Sequence, residues 1–259
     1  MRTLVIICRG IGEPLGTGML WNVKKFLPED VFDIIELKWH AEYGPVPGII
    51  GDPFEKNLED GVSLLLDLCT SVYRNRRIVV LGYSGGAQLA GDALAILARR
   101  PGDHNVVGGV LVSDPSQPKG QPGAGRKYGI RGSRPVPSGI PVIWFFDTKD
   151  VICCCTPEPD SLMRLIADGS GELSLGGPRA WSGSLARLRL KKFQKHIIPW
   201  RMPDKILQQF NTARWEIEGY LFRGDHTEYW KRTNSRTGNQ YFVDIARWIR
   251  NASEFTPRR

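Results

Sequence analysis

Histidine is scarce in this chain: four residues in 259. Chemistry that needs an imidazole must therefore rest on His40, His104, His196 or His226. Cysteine is sparse too, and Cys8, Cys69 and the run Cys153–Cys155 give no paired C-x-x-C spacing. That argues against a structural zinc site, and an odd count argues against an obligatory disulfide framework. The five read as buried small hydrophobes. Long apolar runs are missing as well. The longest, such as Leu4–Cys8 and Val142–Phe146, fall far short of the roughly 20 residues that span a bilayer. The opening MRTLVIICRG has one arginine and a short apolar stretch but no small-residue cleavage site. It reads as a buried first strand, not a signal peptide.

What is present is an ordinary globular composition, 41% hydrophobic and 24% charged, with 35 basic against 27 acidic residues. The net charge of +8 favours anionic surfaces such as phospholipid, cell-wall polymer or nucleic acid. The length fits one large α/β domain, or one carrying an insertion.

Short apolar runs rich in β-branched and aromatic residues recur at Thr3–Cys8, Phe32–Trp39, Ile78–Leu81, Val106–Val112 and Pro141–Phe146. Helical patterns separate several of them, at Gly18–Leu27, Leu58–Asn75 and Ala87–Arg99. In the second, Val62, Leu65, Leu66 and Cys69 recur at helical spacing. This alternation predicts a mostly parallel sheet with helices on both faces. Residues 114–140, rich in Pro and Gly, predict a long loop. From about Pro157 to Arg223 the strand rhythm stops, a basic stretch ARLRLKKFQKHIIPWR appears, and Asp204–Leu221 reads as an amphipathic helix. The expected division is a catalytic domain of 1–156 and 224–259 around an inserted helical linker of 157–223.

The stretch VVLGYSGGAQLAGDALAI puts Ser84 in a G-x-S-x-G pattern between a strand and a helix. That is the context of a nucleophile on a sharp turn, where strand and helix approach too closely for side chains at Gly82 and Gly86. A serine nucleophile needs a base. In the order Ser, acid, His, with the histidine late, His226 of FRGDHTEYW fits best. His40 precedes the serine, His104 lies in a polar turn and His196 sits within the basic stretch. The acid should follow the Pro141–Phe146 strand, which leaves Asp147 and Asp150, with Asp114 a third candidate. The first strand leads into CRGIGEPLGTG, whose backbone N–H groups suit a developing oxyanion. Its glycines only approximate a nucleotide fingerprint and no P-loop lysine follows, so no cofactor is expected.

The segments CRGIGEP, WHAEYGPVPG, LGYSGGAQLAGDAL and TKDVIC are similar, in this order, to motifs of the cutinase-like serine esterases of the α/β-hydrolase fold. Within that group the chain most resembles the mycobacteriophage lysin B family of mycolylarabinogalactan esterases, which place a helical linker before the histidine. The resemblance implies Ser84 as nucleophile, Asp150 as acid and His226 as general base. It also implies the backbone N–H groups of Ile11 and Gly85 as oxyanion hole. The implied substrate is the ester between mycolic acids and arabinogalactan in the mycobacterial cell envelope, cleaved during phage-induced host lysis without a metal or cofactor. The expected protein is a monomer made in the host cytoplasm without a signal peptide, with no transmembrane segment and no obligatory nucleic acid. It departs from the family at Gly85, often glutamine there, at Ile11, often a hydroxyl residue, and at Lys149, which replaces a glycine before the acid. A general cutinase or lipase on shorter esters would use the same residues. A non-catalytic module binding cell wall or nucleic acid through basic residues around Trp181, Phe193 and Trp200 is the reading from another class.

Overall fold

The computed structural model describes residues 2–41, 54–157, 161–164 and 203–254. Five strands, β1 (Thr3–Cys8), β2 (Phe32–Glu36), β3 (Ile78–Tyr83), β4 (Val106–Val112) and β5 (Val142–Phe145), form one sheet in the order β2-β1-β3-β4-β5. Every neighbouring pair is parallel. Parallel strands need crossovers, and the crossovers cover both faces of the sheet.

Side-chain alternation divides the core. Leu4, Ile6, Ile78 and Val80 pack with α1 (Phe54–Asp67) and α2 (Gly85–Leu97) on one face. Val5, Ile7, Val79 and Leu81 pack on the other with a 3-10 helix (Met19–Phe26) and the C-terminal helix. A further helix, α3 (Pro203–Leu221), precedes that terminal helix, α4 (Tyr241–Glu254). Through Ala213, Ile217 and Tyr220, α3 joins a third cluster with Ile130, Ile152 and Met163. No described helix is long and apolar enough to cross a membrane.

Each expected strand and helix is found, β1 and β4 with the expected ends and the others with shifted ones. The second strand stops at Glu36 rather than Trp39 because Arg9 takes over as hydrogen-bond partner. Its guanidinium donates to the carbonyls of Leu37 at 3.2 Å and Trp39 at 2.8 Å. The expected helix Leu58–Asn75 begins at Phe54 and gives way to a wider π-type turn at Leu68–Val72. Residues 113–141 form the expected long connection, crossed by a single bridge between Tyr128 and Cys155. The basic stretch 186–201, with Phe193, His196 and Trp200, lies outside the described residues, as do Trp181 and most of the expected insertion.

Candidate active site

Four strand ends converge on the site. β3 ends in Tyr83, and Ser84 follows with φ 53° and ψ −122°, a left-handed backbone that serine seldom adopts. The chain then enters α2 at once, and Ser84's carbonyl accepts the N–H groups of Ala87 and Gln88. Helix and strand are pressed together here. A Cβ on Gly86 would lie 2.1 Å from the Cys8 carbonyl oxygen, and one on Gly82 would lie 2.5 Å from the Gly86 carbonyl. The small residues around Ser84 are thus required by backbone contact.

His226 sits in the loop between α3 and α4, 4% exposed. Its Nε2 is 2.9 Å from Ser84 Oγ, and its Nδ1 is 3.1 Å from Asp150 Oδ2. The ring is stacked on Tyr83 at 5.1 Å between centroids and faces Tyr220 of α3 at 5.3 Å. The Tyr83 hydroxyl donates to the His226 carbonyl at 2.9 Å, which fixes the backbone as well as the ring.

Asp150 lies in the turn after β5 and is 1% exposed. Four groups besides the imidazole settle it. Ser113 Oγ and Tyr229 OH donate to Oδ2 at 2.5 and 2.8 Å, the Ile152 N–H donates to Oδ1 at 3.0 Å, and its own N–H reaches the Asp147 carbonyl. Burial alone would raise its pKa, but the charge of His226 and the hydrogen bonds from His226, Ser113 and Tyr229 outweigh burial. Its carboxyl is held below the usual carboxylate range. Tyr229 is pushed far the other way, by burial first and then by Asp150's negative charge, so it remains a neutral donor.

The other acid candidates are engaged elsewhere. Asp147 accepts from Arg232 at 2.7 Å and from the Lys149 N–H at 2.9 Å. Asp114 is buried against Arg134, at 2.9 Å, and accepts from the Trp144 indole N–H at 2.9 Å. Of the remaining histidines, His40 is exposed, and His104 joins the Leu97 carbonyl and the Val106 N–H in a structural turn. All five cysteines are free and buried. Burial pushes the thiols of Cys69 and Cys155 up to about 12, so neither is a thiolate at neutral pH.

Ile11 and Gly85 come together as well, for a Cβ on Gly85 would fall 2.5 Å from Ile11 Cδ1. Gly85 opens α2, so its N–H has no carbonyl one turn back within the helix. The loop that carries Ile11 is pinned by Glu13, whose carboxylate accepts the N–H groups of Gly10 and Met19, both at 2.8 Å. The Gly12 N–H reaches the Ala41 carbonyl at 2.8 Å. Glu13, Ser113 and Tyr229 are functional neighbours the sequence does not announce. Glu13 lies three residues from a glycine it caps, a spacing that is common in loops of every kind.

Neither a family model nor a curated protein matches the sequence. Solved structures do. Lysin B from mycobacteriophage D29 superposes with a TM-score of 0.56 at 16% identity, over 96% of this chain and 99% of that one. The catalytic core of acetyl xylan esterase from Trichoderma reesei gives 0.49 at 17% identity, covering 72% and 97% of the two chains. A cutinase-like protein from Cryptococcus sp. gives 0.46 at 19% identity, covering 59% and 78%. Only the first exceeds a TM-score of 0.5, and at such identity the likeness concerns the fold. The chain has an α/β-hydrolase fold, with a five-stranded parallel sheet flanked by helices.

Proposed function

We propose that this protein is a serine esterase that cleaves the ester between mycolic acids and arabinogalactan in the mycobacterial cell envelope. The observation that carries the hydrolytic reading is the line from Ser84 Oγ through His226 Nε2 and Nδ1 to Asp150, at 2.9 and 3.1 Å, in a buried setting. The substrate assignment rests on the ordered motifs and on a fold likeness to a phage lysin that extends over 96% of the chain.

In the proposed reaction Ser84 Oγ attacks the ester carbonyl while His226 Nε2 takes its proton. The carbonyl oxygen gains the negative charge, and the N–H groups of Ile11 and Gly85 donate to it. The tetrahedral intermediate collapses, His226 protonates the departing sugar oxygen, and a mycoyl ester remains on Ser84. Water then attacks the acyl carbonyl as it loses a proton to His226, and His226 returns that proton to Ser84 Oγ as the C–Oγ bond breaks and free mycolic acid leaves. Asp150 keeps its negative charge throughout and stabilises the imidazolium at each proton transfer. These groups come from one chain, so a monomer suffices. The protein would be made in the host cytoplasm and act at the envelope after release.

The test is release of free mycolic acid from purified mycolyl-arabinogalactan, with Ser84→Ala as control. Release by the native protein alone supports both the reaction and the substrate. Cleavage only of short p-nitrophenyl esters, dependent on Ser84, leaves an esterase and overturns the substrate. Cleavage of neither, with salt-sensitive binding to cell wall unchanged by Ser84→Ala, makes the chain a binding module.

A further inference from the structure

Ser113 follows β4 fully buried, with φ 51°. A left-handed backbone suits glycine, and it is uncommon for serine. The residue that fits this backbone most easily would therefore lack a hydroxyl. Yet the hydroxyl is fully engaged, with Oγ 2.5 Å from Asp150 Oδ2 and 3.0 Å from His226 Nδ1.

The chemistry of the three atoms assigns the protons. An ionised carboxylate only accepts, so the Ser113 O–H donates to Oδ2. The lone pairs of Oγ are then what faces Nδ1, and Nδ1 must be the nitrogen that carries hydrogen. Its N–H is shared in a fork between Ser113 Oγ at 3.0 Å and Asp150 Oδ2 at 3.1 Å. Nε2 is left with its lone pair, directed at Ser84 Oγ. A carboxylate alone offers Nδ1 two nearly equivalent oxygens, Oδ2 at 3.1 Å and Oδ1 at 3.3 Å. Tyr229 also donates to Oδ2 and the Ile152 N–H to Oδ1, so what the Ser113 hydroxyl alone adds is a further acceptor for Nδ1 on the Oδ2 side.

We propose that Ser113 is a positioning residue for the hydrolytic reaction: its hydroxyl holds His226 in the Nδ1–H tautomer and fixes the aim of Nε2 at Ser84. The inference rests on the triad reading of Ser84, Asp150 and His226. It also explains why a serine occupies a backbone conformation that glycine fills without strain.

Two variants separate this role from simple packing. Ser113→Gly removes the hydroxyl and relaxes the backbone, and Ser113→Ala removes the hydroxyl and keeps the backbone strained. Turnover of p-nitrophenyl butyrate would be measured together with thermal melting and the far-downfield proton resonance of His226 Nδ1–H. Both variants should lose roughly ten- to a hundredfold in kcat, with KM within about twofold of wild type. The glycine variant should melt no lower than wild type, and the Nδ1 proton should move upfield in both. Wild-type kcat with an unmoved proton would overturn the proposal. So would a loss of activity that only tracks the loss of folded protein. If the native protein shows no Ser84-dependent turnover, the esterase reading falls, and the proton resonance alone still decides whether Ser113 holds the tautomer.

Discussion

Ser84 and Ser113 end adjacent parallel strands in the same way. Each has a left-handed backbone, and each donates its N–H across to the next strand, Ser84 to the Val112 carbonyl and Ser113 to the Phe145 carbonyl. Only one was legible. Ser84 stands among glycines that the close approach of α2 demands, so its special turn leaves a mark in the sequence. Ser113 stands between Val112 and Asp114, and nothing in that composition points to a positive φ. The acid shows the same limit. Asp147 and Asp150 share a turn, and the choice between them depends on which carboxylate Arg232 has already taken. The glycines carry a prediction at this scale. In Gly86→Ala the new Cβ would meet two backbone carbonyls, 2.1 Å from Cys8 O and 2.3 Å from Arg9 O, neither of which can swing aside. The loss of stability should be about 3 kcal/mol or more. A urea midpoint equal to that of wild type would refute the account of this turn.

At the scale of elements, the parallel sheet was readable because its strands are buried on both faces and alternate with helical patterns. The ends of β1 and β4 were readable too, but that of β2 was not, because Arg9, a side chain from a distant segment, sets it. The same is true of the loops at the site. Arg232 joins two of them, donating to Asp147 Oδ2 at 2.7 Å and to the buried Asp225 Oδ1 at 2.7 Å, beside His226. It also reaches the Arg223 carbonyl at 2.6 Å. One side chain thereby ties the loop of the acid to the loop of the histidine. In Arg232→Met, Asp225 keeps Arg223, at 2.8 Å, as its ion-pair partner among the described residues. Melting should fall by an amount equivalent to about 2 kcal/mol, since the guanidinium is partly solvated. Ester turnover should fall in kcat more than in KM, because the distance from His226 to Asp150 is what loosens. Unchanged kcat in a folded variant would show that the two loops hold their geometry without this tie.

Over the whole molecule, three carboxylates make stability depend on pH in opposite senses. Asp150 is held below the usual range, so the stability it contributes is present above the unfolded value of about 4 and is lost as pH falls through its lowered value. Glu216 of α3 behaves in reverse. Burial raises its pKa, and the Thr156 hydroxyl and the charges of Lys127 and Arg164 only partly offset that. Its contribution is complete below about 4, where both states are protonated, and is lost as pH rises through the raised value. Asp92 is raised as well, by burial first, with Arg134 opposing. The consequence of Glu216 falls on α3, which places Tyr220 against the His226 ring. Ionising Glu216 therefore weakens the docking of the helix that covers the histidine. Glu216→Gln removes the titration and keeps an acceptor for Thr156 Oγ1, which lies 3.1 Å from Glu216 Oε1. Its melting temperature should equal that of wild type near pH 4 and exceed it increasingly as pH rises to neutrality. Asp150→Asn should show the opposite trend below pH 4, wild type losing its advantage as the solution becomes more acidic. Comparing each variant with wild type at the same pH cancels the general effect of the chain's +8 charge. A Glu216→Gln difference that stays flat or shrinks with rising pH would mean that this carboxylate does not set how firmly α3 is held over the site.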